Sequence, residues 1–316
     1  MHSLDSRVDE TAVRFAYMYL LGRNPENEAV VQNGAAFERN IRQLRHDVMQ
    51  SAEWACTINQ QVQDRMISSY LKCAIEKFST INDKGASGEI MVVQTADAER
   101  YSGLLAISSQ FNRKYADIHG LGYQSYVGVK RGAFPHHAMY NRIYMLNDLI
   151  DEGFSGWVVY VDADAIFSRP DFPIRSYLAS LRDDGKIMAL HSVYQKDDPR
   201  YDWWNINNGA FAIDLSSALA QNAVRAWRGI YTDLYSMDDY RQASSWDSII
   251  INDQASMSSI LRHFNMEPHV HLGDLQSTAG FVTQVLRAIC DQVSPDQEME
   301  QRKQQLMSIG QATYGN

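Results

Sequence analysis

The chain has little of what marks several large protein classes. It holds only three cysteines in 316 residues, Cys56, Cys73 and Cys290. An odd, scattered set without metal-ligand spacing excludes a disulfide scaffold or a cysteine zinc site and favours buried thiols in a reducing compartment. Long apolar runs are missing as well, none approaching the ~20 residues of a membrane-spanning helix. Near the start stand Asp5, Arg7, Asp9 and Glu10, where a secretory signal would be apolar. A cytoplasmic, bacterial protein is expected. Positive charge is also in deficit: 29 Lys and Arg against 38 Asp and Glu leave a net −9. No global field therefore attracts nucleic acid or an anionic membrane. An anionic ligand needs local help from a metal or a helix N-terminus. No fixed-period repeat or low-complexity segment is present, while 45% hydrophobic and 21% charged residues suit an ordinary globular chain.

Residues up to about Thr80 read as helical. Val13, Ala16, Tyr17 and Leu20 share one helical face, and Leu21-Gly22-Arg23-Asn24-Pro25 stops that helix. A second helical stretch is expected from about Ala35 to Gln50 and a third from about Ala52 to Phe78. Asn82 to Gly88 is the linker candidate. Beyond it the pattern turns to α/β: strands at Ile90–Thr95, Gln124–Val129, Trp157–Val161, Ile187–Val193 and Ala210–Leu215. Helices are expected at Ala98–His119, from Pro135 on, at Ala218–Tyr235 and at Ala255–Phe264. Such alternation implies a mostly parallel, Rossmann-like sheet with helices on both faces. The expected organisation is an all-α N-terminal domain over 1–82, an α/β domain over 83–294, and a Gln-rich, helical or loose tail over 295–316.

Chemistry concentrates at Asp162 and Asp164. The preceding run, Trp157-Val158-Val159-Tyr160-Val161, lacks the alternation of a half-exposed strand and suits one covered on both faces. Side chains two apart on an extended chain point the same way, so the acids share a face. Like charges that close repel, and burial raises the cost. A divalent cation, Mg²⁺ or Mn²⁺, is the simplest relief and leaves coordination positions for phosphate oxygens. The pair reads as a seat for a metal-bound diphosphate.

Four pieces follow one order: Ser109-Gln110-Phe111-Asn112 through Tyr115 and His119-Gly120 to Tyr123; Asp162-Ala163-Asp164; Asn207-Asn208-Gly209-Ala210-Phe211; and Asn252-Asp253-Gln254-Ala255, trailed by a His-Gly segment. Together, from Ile90 to about Gly273, they resemble GT-A glycosyltransferases, most of all the retaining family of fungal galactosyl- and mannosyltransferases and plant xyloglucan xylosyltransferases. The resemblance implies a nucleotide-sugar donor, UDP-linked, and transfer of a hexose or pentose with retention to a hydroxyl of a glycan or protein acceptor. It assigns Asp162 and Asp164 to the metal, and Asp162, Ala163, Asp164, Thr95, Tyr115, Arg142, Asn207, Gly209 and Gly273 to the donor. Asp253, Gln254 and Asn208 fall to catalysis, the first two beneath the donor sugar.

Each of these residues also has a plainer reading. Asn-Gly pairs make turns without function, Asp253 stands where a helix N-cap belongs, and Arg142, after His136 and His137, suits a solvated helix face. Trp203 and Trp204 offer a flat surface to a sugar or pack in the core. For the third metal ligand the candidates are His271 and His269, two and four residues before Gly273, whereas the family spaces its ligand three before a glycine. An imidazole favours Mn²⁺ over Mg²⁺. The family's lysine after that glycine is replaced by Asp274-Leu275-Gln276.

The N-terminal pattern Tyr17-x-x-Leu20-Leu21-Gly22-Arg23-x-Pro25, with Ser51-Ala52-Glu53-Trp54, resembles a small helical domain of unknown function in bacterial surface-associated and carbohydrate-related proteins. It implies partner or acceptor docking and no catalytic role. Two other functions compete. Val161-Asp162-Ala163-Asp164 also fits the nucleophile motif of haloacid-dehalogenase-type phosphatases, but that motif normally opens its domain, and Ile166 stands where a threonine is expected. A non-catalytic nucleotide-sugar or carbohydrate binder is the third reading.

Overall fold

The computed structural model describes residues 6–21, 24–49, 51, 62–72, 88–194, 196–245, 250–273, 281–286 and 294–315. The chain divides into two compact units, Met1–Met66 and Ile67–Asn316. Most of the expected linker, Asn82 to Gly88, lies outside the described residues.

In the first unit the Asp9 side chain caps helix α1, Glu10–Ala16, accepting from the Ala12 amide at 2.8 Å. Tyr17–Leu21 continues as a π-helical turn. Asn27 caps α2, Glu28–Ala36, and Ile41–Met49 forms α3. The single helix expected from Ala35 to Gln50 is therefore broken, because Phe37 adopts an extended conformation, φ −69° and ψ 131°. Val8, Val13, Val31 and Leu44 form this unit's core. Helix α4 covers residues 62–72, the described part of the expected third helix. Its Ile67 and Leu71 already belong to the second unit and are buried in that unit's core.

The second unit is built on six strands: β1 (Ile90–Ala96), β2 (Gly122–Val127), β3 (Trp157–Val161), β5 (Met188–Ser192), β6 (Ile206–Asp214) and β7 (Val270–Leu272). Their order is β2-β1-β3-β6-β5-β7. Only β6 runs against the rest, pairing antiparallel with both β3 and β5. A mostly parallel sheet with one reversed strand and helices on both faces is a Rossmann-like α/β architecture. A short pair, β4 (Ala165–Phe167) with β8 (Val282–Gln284), lies outside that sheet.

Burial explains why β3 carries an unbroken apolar run. Val158 and Tyr160 face one cluster with α6 (Asn141–Asp151), α8 (Ala218–Asp233) and α10 (Asp253–His263). Trp157, Val159 and Val161 face the other, with α5 (Ser102–His119) and α7 (Ile174–Asp183). A strand covered on both faces has no polar side. Helix α5 starts later than the expected Ala98. The Asp97 carboxylate instead ties the turn before it, accepting from the amides of Glu99 at 2.8 Å and Arg100 at 2.5 Å. Before α6, the stretch from Pro135 is a 3₁₀ helix, Pro135–Tyr140. A short α9, Met237–Gln242, follows α8.

The tail is helix α11, Pro295–Tyr314, opened by a capping box on Ser294. It docks on α5. A Cβ at Gly310 would stand 2.2 Å from the Phe111 ring, so only glycine lets the two helices approach this closely. Leu306 of α11 joins Leu104, Phe111, Ala163 and Ile166 in a satellite core beneath the acidic pair. Among the described residues no helix is long and apolar enough to cross a membrane.

Candidate active site

In an open α/β sheet the crevice for ligands lies beyond the carboxyl ends of the strands where the connection order reverses. Here that point is between β1, which pairs with β2 on one side, and β3 on the other. A cavity of about 330 Å³ opens there, walled by Thr95 of β1, Tyr101, Met139 and Arg142, by Asp162 to Asp164, and by α11 through Met299 and Arg302.

The two acids converge. The amide nitrogen of Gln284 on β8 donates to Asp162 Oδ2 at 3.2 Å and to Asp164 Oδ1 at 3.0 Å, so a single donor sits between the carboxylates. Asp162 Oδ1 accepts from Arg142 Nη2 at 2.9 Å and from the Tyr160 hydroxyl at 2.8 Å. Asp164 Oδ2 accepts from Arg302 Nη2. All four acidic oxygens thus have protein donors. Gly209 makes the crowding possible: a Cβ there would lie 2.7 Å from Gln284 Oε1 and 3.0 Å from Asp162 Oδ2.

Arg142 links this pair to a third acid. It is buried, lies 3.2 Å through Nε from Asp253 Oδ2, and donates through Nη1 to the Asn208 carbonyl at 2.6 Å. Asn208 Nδ2 returns to Asp253 Oδ2 at 2.9 Å. Burial disfavours the arginine's charge, but Asp162 and Asp253 more than offset it and hold the guanidinium protonated. Burial pushes the Asp162 carboxyl up to about 6 against the opposing pull of Arg142. It also raises Asp164, against Arg302. Three carboxylates face two guanidiniums, and one negative charge is left over.

Several plain readings are corrected. Arg142 is not on a solvated face. Asn207-Asn208-Gly209 is no turn but the interior of β6, with Asn207 Oδ1 accepting from the Gly209 amide at 2.9 Å. Asn252, not Asp253, caps α10, accepting from the Ala255 amide at 2.8 Å, which leaves the Asp253 carboxylate to face Arg142. Thr95 is at the cavity wall, its hydroxyl accepting from Asn141 Nδ2 at 2.9 Å. Ala163 lines the cavity too.

Other expected residues stand elsewhere. Tyr115 is fully buried in the core on the α5 side, donating to the Phe172 carbonyl at 2.8 Å and packed on Phe167 and Phe281. Gln254 is partly buried in the first turn of α10 and does not line the cavity. Gly273 donates its amide to the Leu190 carbonyl at 3.0 Å, extending the β5–β7 ladder. His271, on β7, is three strand spacings from β3, roughly 14 Å across the sheet. Its ring lies near Tyr177, and its buried Nε2 has no hydrogen-bond partner. His269 approaches the Gly185 carbonyl at 3.4 Å. Trp203 and Trp204 pack edge to face against each other and, partly buried, against the core.

A divalent cation does not fit this donor set. Every oxygen of the acidic pair is engaged by an amide, hydroxyl or guanidinium, and among the described residues no group of three acids, histidines or cysteines is placed to hold a metal ion. Sequence reasoning missed Arg302, Gln284 and Tyr160. Arg302 alone left a trace: it is the charged residue between Met299 and Leu306 on the face that α11 buries.

No family model matches the chain, and no curated protein matches it. Solved structures do. A glycosyltransferase involved in glycosylation of the major capsid of PBCV-1 is 12% identical, with TM-score 0.46 over 70% of this chain and 99% of that one. A putative glucose-1-phosphate thymidylyltransferase from Bacillus anthracis is 10% identical, with TM-score 0.37 over 70% and 95%. A197 from STIV is 10% identical, with TM-score 0.31 over 64% and 96%.

Proposed function

We propose that the chain is a glycosyltransferase that takes a nucleotide-diphosphate sugar, UDP-linked, and moves its hexose or pentose to a hydroxyl of a glycan or protein acceptor with retention. The observation that carries this reading is the cavity at the β1–β3 switch point, with Asp162 and Arg142 at its wall and Asp253 held behind Arg142. The nucleoside end of the donor lies toward Thr95 and Tyr101. Arg142 retains N–H donors beyond those given to Asp162 and Asn208, and a planar guanidinium suits a phosphate oxygen. It offsets charge that gathers on the departing nucleoside diphosphate. Asp253, fixed by Asn208 and Arg142, stabilises the positive charge developing at the anomeric carbon. The bond from the anomeric carbon to the diphosphate oxygen breaks, the acceptor oxygen bonds to that carbon, and its hydroxyl proton passes to the departing nucleoside diphosphate.

The test is a panel of UDP- and GDP-sugars and phosphate esters, with released nucleotide and phosphate measured separately. Release of UDP from one donor, accelerated by an acceptor, is the expected result. Turnover of phosphate esters alone would mark the dehalogenase-type phosphatase reading. Nucleotide binding without release from any donor would mark a non-catalytic binder.

A further inference from the structure

We infer that the oxygens of this chain's acidic pair are occupied by Arg142 and Arg302, with the Gln284 amide seated between the two carboxylates, and that the pair does not take up a divalent cation. The claim stands on the cluster's geometry and holds whether or not the cavity receives a nucleotide.

An Asp-x-Asp pair binds a cation because its oxygens are otherwise unpaid neighbours of like charge. Here each carboxylate already has a guanidinium, and both share the amide nitrogen of Gln284 at 3.2 Å and 3.0 Å. A cation would have to displace that nitrogen and enter beside two fixed positive charges. Each guanidinium repels the incoming cation and opposes the attraction of the carboxylates.

The displacing groups are not loose surface side chains. The Arg302 side chain is 5% exposed and that of Arg142 8%. Arg302 also donates through Nε to the Val285 carbonyl at 3.1 Å, and its plane lies over the Tyr101 ring with its carbon 5.2 Å from the centroid. Arg142 likewise stacks on Tyr160 at 4.4 Å. Moving either arginine gives up a set of buried contacts, whereas a long exposed lysine would swing aside at little cost. Helix α11 is thus part of the site, since it carries one of the two compensating charges to the floor of the cavity.

Titration of the full-length chain with Mn²⁺, followed by the EPR signal of the free ion, tests the inference. The native protein is expected to show no saturable binding at millimolar Mn²⁺. Arg302→Met is expected to bind Mn²⁺ saturably below millimolar concentration, a gain of at least about tenfold over the native chain, because one repelling charge and one occupied oxygen are released. Should that variant fail to fold, Gln284→Ala keeps both ion pairs and opens the space between the acids, and the same direction of change is expected there. One equivalent of Mn²⁺ bound at micromolar concentration by the native chain, and lost in Asp164→Asn, would overturn the inference. So would a folded variant with no gain. A parallel calorimetric titration with UDP is expected to give the same affinity in EDTA and in Mn²⁺. Metal-dependent UDP binding would again overturn the inference, whereas absent UDP binding in both buffers counts against the proposed function and leaves the Mn²⁺ titration to decide the rest.

Discussion

Arg302 and Asp164 meet across 138 positions of sequence, a guanidinium from the last helix closing on a carboxylate at the end of a central strand. Both side chains are almost fully buried. A buried pair of this kind adds little relative to an apolar substitute, but removing one partner strands the other charge. Arg302→Ala is therefore expected to lower unfolding free energy by about 3–5 kcal/mol, measured by urea denaturation. Arg302→Lys restores part of that loss, because an ammonium can still reach Asp164 but cannot also bond Val285. Equal losses for the two variants would show that packing of the stem, not charge pairing, carries the effect.

Gly209 sits in β6 directly under the acidic pair, and its backbone is not in the left-handed region. Alanine is therefore allowed by the backbone and excluded only by its neighbours, the Gln284 amide and the Asp162 carboxylate. Gly209→Ala is expected to cost about 1–3 kcal/mol through overpacking and to weaken UDP binding in a thermal-shift titration. Unchanged nucleotide affinity would place the binding surface away from Asp162.

Much of the fold is legible in the sequence because burial on two faces leaves an unmistakable pattern: β3 starts and ends where its apolar run does, at Trp157 and Val161. Helix starts are less legible, since a carboxylate such as Asp97 can hold a turn ahead of the first helical residue. The short strands β4, β7 and β8, three residues each, are too brief for periodicity to register. At the site, Asp162, Asp164, Asn208, Arg142 and Asp253 are brought together, and all lie in motifs or elements readable from the chain. What holds them is not readable. Gln284 and Arg302 come from segments without a motif, and only the folded sheet brings β8 and α11 beside β3. Tyr115 shows the converse, an aromatic in a recognisable helix whose role is packing.

Asn252 and Asp253 are neighbours with separable duties. Asn252 caps α10, and Asn252→Ala is expected to cost about 1 kcal/mol of stability while leaving donor turnover unchanged. Asp253→Asn keeps the helix start and the side-chain shape but removes the charge that faces Arg142. Under the proposed function it lowers kcat by about a hundredfold or more with little change in KM, as loss of an interaction made mainly in the transition state does. Steady-state kinetics of both variants check the contrast, and a kcat loss in Asn252→Ala equal to that in Asp253→Asn would assign both effects to a misplaced helix.

His137 gives the molecule an acid-sensitive point away from the carboxylates. It is fully buried, and its Nδ1 accepts from the amides of Ala133 at 2.9 Å and Phe134 at 3.2 Å. That fixes the neutral tautomer with the proton on Nε2. Protonating Nδ1 would set a new donor against two existing ones, and burial together with the neighbouring His136 lowers the imidazole from 6.5 to about 4. The unfolded chain takes up a proton as pH falls through about 6.5, while the folded chain stays neutral until about 4. Stability is thus complete above the higher value and is lost between the two, at roughly 1 kcal/mol per pH unit. His137→Asn removes the titrating group and retains an acceptor. It is expected to be less stable than the native protein at neutral pH and to show a shallower decline of melting temperature on acidification. Parallel pH profiles for the two proteins would mean that His137 charges freely in the folded state.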